Sequence, residues 1–213
     1  MENETSQGQT PLTTPVATPT PQVMEQPKHK FPTETIELPS KGLLYPEGHP
    51  LASGKIEMKY MTAREEDILT NQNFIANGTV LDKLLQSLII TKVSYDDLLI
   101  GDKNAIMIAS RILGYGKDYE FEYDGELQLV DLTTLENKEL DETLYTRGQN
   151  EFSFTLPHSG TNITFRLMDG HLEKKIENEI KGLKKINKQI SVDLSTRMKH
   201  IITSVEGDTT SKS

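Results

Sequence analysis

The composition of the chain changes abruptly at Phe31. No aromatic side chain precedes this residue, and five of the ten prolines lie in the same stretch, separated mostly by Thr, Gln, Ser, Glu and Asn. Such a segment buries too little apolar surface to offset an ordering cost of about 1–2 kcal/mol per residue. We therefore expect a disordered, partly polyproline-like arm over residues 1–30, which is either a docking segment or a solvated tail. A single folded domain is expected over residues 31–208, with a frayed end over 209–213.

The totals for the whole chain exclude several classes of function. Thirty-two acidic residues against twenty-three Lys and Arg argue against a general nucleic-acid binder, which needs net positive charge to release counterions. The absence of Cys excludes disulfides, thiol catalysis and Cys-based metal sites. No apolar run reaches the roughly 18 residues of a membrane span, and the N-terminus lacks the features of a secretory signal. These features predict a soluble, intracellular protein with no membrane partner.

The first part of the domain predicts two strands joined by turns. Residues 33–38 form the first strand, and residues 55–60 alternate apolar and charged side chains as a half-buried strand does. The turn after the first strand contains Gly42, which can supply the positive φ that such a turn needs. The two strands are expected to pair.

Three helices are predicted next. Thr62 and Glu65 have the spacing of a capping box, which predicts a helix of about 10–13 residues. Thr79 is expected to cap a second helix, and Asp102 a third. Gly114 is expected to end the third helix in the left-handed conformation.

Beyond residue 118 the apolar period changes from helical to two. Four alternating runs, over residues 119–123, 127–132, 152–156 and 163–167, predict one small antiparallel sheet with one solvated face. Asp124-Gly125 is a hairpin-turn signal between the first two runs. Two further helices follow, over residues 170–188 and 193–204. The predicted fold class is therefore α+β, with a small antiparallel sheet or hairpins packed against about five helices.

No constellation of residues predicts catalysis or metal binding. The five histidines are scattered and lack the spacing that places two imidazoles on one helix face; they are His29, His49, His158, His171 and His200. Adjacent acids are available at Glu65/Glu66, Asp96/Asp97 and Asp141/Glu142, but first-turn acids are explained by the helix dipole. There is no nucleophile elbow and no phosphate-binding glycine loop. We predict no catalytic, cofactor-binding or metal-binding residue and no enzyme activity.

The charges are segregated along the chain. Residues 118–142 hold ten acids and one base, whereas residues 171–200 hold eight Lys and Arg and four acids. Two explanations stay open: complementary patches that orient an association with a partner, or two solvated faces.

Four segments resemble a known family. They are residues 38–46 (LPSKGLLYP), residues 55–69 (KIEMKYMTAREEDIL), residues 156–167 (LPHSG running into ITFRL) and residues 196–208 (TRMKHIITSVEGD). Their order and spacing are similar to those of the baseplate hub subunits of T-even-type contractile-tailed bacteriophages, to which a hub-assembly protein is related. The resemblance covers residues 33–208 and leaves out the proline-rich arm.

The resemblance implies a non-enzymatic viral tail protein, made in the bacterial cytoplasm and built into the central hub of the virion baseplate. An alternative within the same family is an assembly chaperone that is absent from the mature virion. The implied partners are other hub and tail proteins, and self-association is also compatible with the sequence. Longer relatives continue past the Ser-Val-x-Gly segment with another helical stretch and a Cys-bearing end, so this chain is either a short member or lacks that extension.

Overall fold

The computed structural model describes residues 31–186 and 191–209. The predicted arm, and all but the first residue of the predicted frayed end, lie outside these ranges. Six α-helices and seven strands occur in the described residues, which confirms the α+β class. The elements are β1 (Thr33–Glu37), β2 (Lys55–Lys59), α1 (Ala63–Leu69), α2 (Gln72–Ala76), α3 (Val80–Leu88), α4 (Ile100–Tyr115), β3 (Asp118–Tyr123), β4 (Glu126–Asp131), β5 (Phe152–Thr155), β6 (Asn162–Phe165), α5 (Gly170–Ile186), α6 (Asp193–Ile201) and β7 (Ile202–Val205).

The predicted pairing of the first two strands is confirmed. β1 and β2 run antiparallel, with Ile36 opposite Ile56. The loop between them depends on Gly42, whose φ is 74°. A Cβ at Gly42 would lie 2.5 Å from both the carbonyl oxygen of Ala52 and the amide nitrogen of Gly54, so no other residue fits this position without a shift of the backbone.

The main core lies where this loop and β2 meet α3 and α4. Its apolar side chains come from all four parts, because each contributes one buried face. The most completely buried are Leu51, Ile56, Met58, Leu88, Leu98 and Ile106. A second, smaller cluster is formed by α5 and consists of Leu172, Ile176 and Ile180. The predicted helix over 170–188 is confirmed as far as Ile186, beyond which the chain lies outside the described residues.

The first predicted helix is wrong in length. The capping box at Thr62 and Glu65 is present, but α1 has only seven residues. Asn71 interrupts it, because its side-chain oxygen accepts hydrogen bonds from the amides of Asn73 and Phe74 at 3.0 and 3.2 Å and so begins α2. A strong local cap thus divides what the apolar spacing predicts as one helix.

Both predicted ends of the third helix are also wrong. α4 begins at Ile100, so Asp102 lies inside its first turn rather than at the cap. The helix continues through Gly114 to Tyr115, and Gly116, whose φ is 83°, caps its C-terminal end. Gly114 has a packing role instead, since a Cβ there would collide with Cε of Met61.

The predicted single sheet is wrong. β3 and β4 form a separate two-stranded hairpin, and β5, β6 and β7 form a three-stranded sheet. The first three residues of β7 are ones that the sequence assigns to the end of the last helix. The run Ile202, Thr203, Ser204 and Val205 is rich in β-branched side chains, and pairing with β6 overrides the helical spacing.

A buried carboxylate joins three elements of the first part of the domain. Glu65 of α1 is fully buried, and its Oε1 accepts hydrogen bonds from Lys59 Nζ at 2.8 Å and from Ser87 Oγ at 2.6 Å. Its Oε2 accepts from Thr62 Oγ1 at 2.5 Å. Burial alone would raise the pKa of Glu65, but the hydrogen bonds from Lys59, Ser87 and Thr62 outweigh it and lower the pKa from 4.5 to about 2.

We predict that this carboxylate contributes to the acid sensitivity of the fold. Because the folded-state pKa is lower than the unfolded one, the stabilisation is present above about pH 5 and is lost as the pH falls towards 2. Glu65→Gln should therefore lose less unfolding free energy between pH 6 and pH 3 than the wild type does, measured by urea denaturation. Glu66→Gln, on the same helix, is the control and should keep the wild-type loss. An equal loss in Glu65→Gln and the wild type would contradict the assignment.

Candidate interaction surfaces

The β3–β4 hairpin is exposed to solvent over most of its surface. Its six residue pairs run from Asp118 opposite Asp131 to Tyr123 opposite Glu126. Asp124 and Gly125 form the turn, both with positive φ as in a type I′ turn. Tyr123, Leu127 and Leu129 are 71%, 74% and 64% exposed. The hairpin thus adds no buried apolar side chain to the core.

The two faces of the hairpin differ in chemistry. Side chains opposite each other in an antiparallel pair lie on the same face, so Leu127 lies beside Glu122, and Leu129 beside Glu120. We call these four residues the acidic leucine face. The other face carries the aromatic side chains of β3, where the rings of Tyr119 and Phe121 stack with their centroids 5.9 Å apart.

The base of the hairpin is attached to the C-terminal end of α4. Arg111 donates hydrogen bonds to the carbonyl oxygens of Gly116 at 3.0 Å and Asp118 at 3.3 Å, and its guanidinium lies 5.6 Å from the ring of Tyr119. Lys117 Nζ pairs with Asp131 Oδ2 at 2.5 Å. The hydrogen bond from Lys117, with those from Thr133, lowers the pKa of Asp131 to about 2. These contacts fix the orientation of the β3–β4 hairpin, which projects as an arm from the C-terminal end of α4.

An apolar groove of about 570 Å³ opens at the other end of α4. Its walls come from the loop after β1, the start of α4, the chain around residue 145, the end of β6 and the end of α6. The main apolar lining residues are Leu43, Leu44, Leu99, Tyr145, Phe165 and Met168.

A buried polar cluster holds the floor of this groove. Asp102 is 1% exposed; its Oδ1 accepts from the amide of Ser40 at 3.0 Å, and its Oδ2 from Ser40 Oγ at 2.8 Å and Tyr45 Oη at 2.6 Å. The Tyr45 oxygen in turn accepts a hydrogen bond from the amide of Leu99 at 3.0 Å. Burial, reinforced by the Asp102 carboxylate, raises the pKa of Tyr45, so its phenol stays a donor.

One guanidinium group, that of Arg166, belongs to the groove lining, and a second, that of Arg197, contacts a lining residue. Arg166 is exposed and lines the groove, and Arg197 Nη1 lies 4.0 Å from the sulfur of the lining residue Met168. Arg197 is one helical turn from Ile201, which also lines the groove. Within residues 31–186 and 191–209, neither guanidinium has a carboxylate within ion-pair distance.

The structure brings some of the scattered histidines together. Asp97 lies between His49 and His171, at 3.6 Å from one ring nitrogen and 2.9 Å from the other. His200 contacts Glu179 at 2.6 Å, whereas His158 lies in the exposed turn between β5 and β6. His29 lies outside the described residues. In the part of the chain that the structure describes, no group of three or more His, Asp or Glu is arranged to hold a metal ion.

The adjacent acids are used in ion pairs and caps. Glu65 is the buried carboxylate of α1, Asp96 pairs with Lys174 at 2.6 Å, and Glu142 pairs with Lys41 at 3.1 Å. Asp141 accepts from the amide of Thr143 at 3.0 Å. These contacts give each of the four acids a structural role, two of them through ion pairs between distant parts of the chain.

Sequence reasoning missed the acidic leucine face and the two arginines at the groove. The first had a usable signal, because a two-residue turn at Asp124-Gly125 sets the register and so places the leucines opposite the glutamates. The two arginines gave no such signal, because α6 reaches the end of β6 only in the fold, where the amide of Arg166 donates to the carbonyl oxygen of Ile201.

Comparisons of the chain with protein-family models, with curated proteins and with solved structures give no match. Among the described residues, no helix is both long enough and apolar enough to cross a bilayer.

We predict that Tyr45→Phe destabilises the fold by about 1–3 kcal/mol, because the amide of Leu99 loses its acceptor and Asp102 loses a donor in a buried site. Urea unfolding at neutral pH measures the change. Tyr60→Phe is the matched control, since its hydroxyl lies 3.4 Å from the exposed Glu34, and its effect should stay within about 0.5 kcal/mol. Equal stability of the two variants would contradict a structural role for the Asp102 cluster.

Proposed function

We propose that this chain is a non-enzymatic component of the central hub of a contractile-tailed bacteriophage baseplate, assembled in the host cytoplasm and retained in the virion. One structural observation carries the proposal that it acts by binding. The β3–β4 hairpin exposes Tyr123, Leu127 and Leu129 on an arm that contributes nothing to the core. The identity of the assembly rests on the resemblance of the four sequence segments.

The exposed side chains of the hairpin favour a protein partner. Burying one leucine side chain contributes about 1.5–3 kcal/mol, so an arm that leaves two leucines and a tyrosine in solvent keeps that free energy available for association. Six acids over residues 118–131 flank these side chains, which disfavours non-specific aggregation at the strand edges. A docking element with this composition supports an oriented contact between proteins.

The segments that carry the resemblance contribute several regular elements and the loop beside the groove. Residues 38–46 form the loop under the groove, residues 55–69 include β2 and α1, and residues 196–208 include most of α6 and all of β7. The hairpin lies outside all four segments. This distribution supports the view that the four segments belong to a framework shared with the hub family, whereas the hairpin is a docking arm particular to this chain.

The proposal is tested with the phage that encodes the chain, after deletion of its gene and supply of the protein from a plasmid. We expect the full chain to restore tail assembly and to be stoichiometric in purified virions by quantitative mass spectrometry. A variant in which residues 119–130 are replaced by Asn-Gly, leaving a tight turn between Asp118 and Asp131, should fold but fail to restore tails. Lys175→Ala, an exposed change on α5, is the control and should restore them.

Two outcomes would overturn the proposal. Restored tails without the protein in the virion would assign it instead as the transient assembly chaperone of the alternative. Normal tails in the absence of the gene would exclude both roles. Thermal unfolding of the shortened variant is measured in parallel, and its midpoint should stay within a few degrees of the wild type because no buried apolar side chain is removed.

A further inference from the structure

The acidic leucine face of the hairpin and the apolar groove are complementary in chemistry. The face presents Leu127 and Leu129 beside Glu122 and Glu120, all four exposed. The groove presents an apolar lining that includes Arg166, and Arg197 lies next to it, in contact with the lining residue Met168. Leucines match the lining, and the carboxylates match two guanidinium groups that have no carboxylate partner in the described ranges.

We propose that copies of this chain associate head to tail, with the acidic leucine face of one copy seated in the groove of the next. The leucines enter the groove, and Glu120 and Glu122 form charge-assisted hydrogen bonds with the arginines of the neighbouring copy. The contact is between identical chains and does not depend on any tail partner.

The geometry of α4 supports a contact between copies rather than within one. The hairpin leaves the C-terminal end of this helix, whereas Leu99, Ile100 and Asp102 at its N-terminal end line the groove. Sixteen helical residues separate the two ends by about 24 Å. In the same chain the leucines of the hairpin remain exposed, so the groove is not filled by its own hairpin.

The symmetry of this contact follows from its two different surfaces. Because one copy contributes the hairpin and the next contributes the groove, the interface is heterologous, and repeated contacts make a ring if the rotation closes. Each copy inside such an assembly uses both surfaces. A variant that loses either surface should therefore stop growth of the assembly.

The basic side of α5 is a second surface on which the acidic hairpin of a neighbouring copy could dock, and it is less suitable than the groove. Three of its lysines already have carboxylate partners, since Lys174, Lys181 and Lys184 pair with Asp96, Glu177 and Asp193 at 2.6, 3.3 and 2.9 Å. Among the described residues of α5, only Lys175 and Lys185 lack one. The groove combines a cavity lined by apolar side chains with guanidinium groups lacking such pairs, which is the combination that the hairpin face requires.

Analytical ultracentrifugation of the full chain tests this proposal. We expect the wild type to show concentration-dependent association, and Glu120→Arg/Glu122→Arg to weaken it at least tenfold. Arg166→Glu/Arg197→Glu should weaken it to the same extent. Combining all four substitutions in one chain reverses both surfaces and should restore association. Lys175→Glu/Lys185→Glu, an equal charge change on exposed lysines of α5, is the matched control and should leave association unchanged.

A further pair of variants separates the apolar part of the contact from the charges. Leu127→Ser/Leu129→Ser should also weaken association at least tenfold without lowering the unfolding temperature, because both leucines are exposed. Should the arginine double variant fail to fold, Arg166→Glu alone takes its place, since this side chain is exposed. Circular dichroism and thermal unfolding monitor each variant.

Three results would overturn the proposal. One is a wild type that stays monomeric at about 100 µM, where a contact with a Kd in the micromolar range is populated. Another is a four-fold variant that fails to restore association although it is folded. The third is loss of association in the lysine control but not in the arginine variant, which would place the hairpin on α5.

Discussion

The fold around the groove depends on one buried carboxylate. Asp102 accepts three hydrogen bonds from Ser40 and Tyr45, which lie about sixty residues earlier in the chain, and so fastens the loop after β1 to the first turn of α4. The phenol of Tyr45 completes the connection by accepting from Leu99. A buried charge is tolerated only when its oxygens are satisfied, and here satisfying them fixes the loop. Leu43 and Leu44, on that loop, then become one wall of the groove.

The β3–β4 hairpin differs from the groove in that its side chains are not buried. β3 alternates strictly between acidic and aromatic side chains and β4 alternates as far as Leu129, yet within residues 31–186 and 191–209 none of the hairpin's side chains is buried. A two-stranded hairpin is marginal by itself, so the anchoring by Arg111 and by the Lys117–Asp131 pair positions it relative to α4. The groove and the anchored hairpin therefore lie at opposite ends of α4.

Local patterns predicted most of the elements but not how they meet. The strands at Lys55–Lys59 and Asp118–Tyr123 follow from period-two alternation, and α5 follows from its apolar stripe. Asp102 was misassigned as a cap because its partners at Ser40 and Tyr45 are distant in sequence, and a lone Asp before an apolar run has the same appearance in either role. β7 was missed for the same reason, since its partner β6 decides its conformation. Among the features of the candidate interaction surfaces, only the register of the β3–β4 hairpin could be predicted, because the two-residue turn at Asp124-Gly125 determines it.

Hydrogen exchange of the dilute, full-length protein tests the central claim most directly, namely that a rigid groove is joined to a free arm. The amides of Ser40 and Leu99 donate to Asp102 and Tyr45, so they should exchange only on global unfolding. Amides of β3 and β4 should exchange far faster, and should gain protection as the concentration rises and copies associate. Hairpin amides as protected as Ser40 and Leu99 in dilute solution, or unprotected at every concentration, would contradict the account.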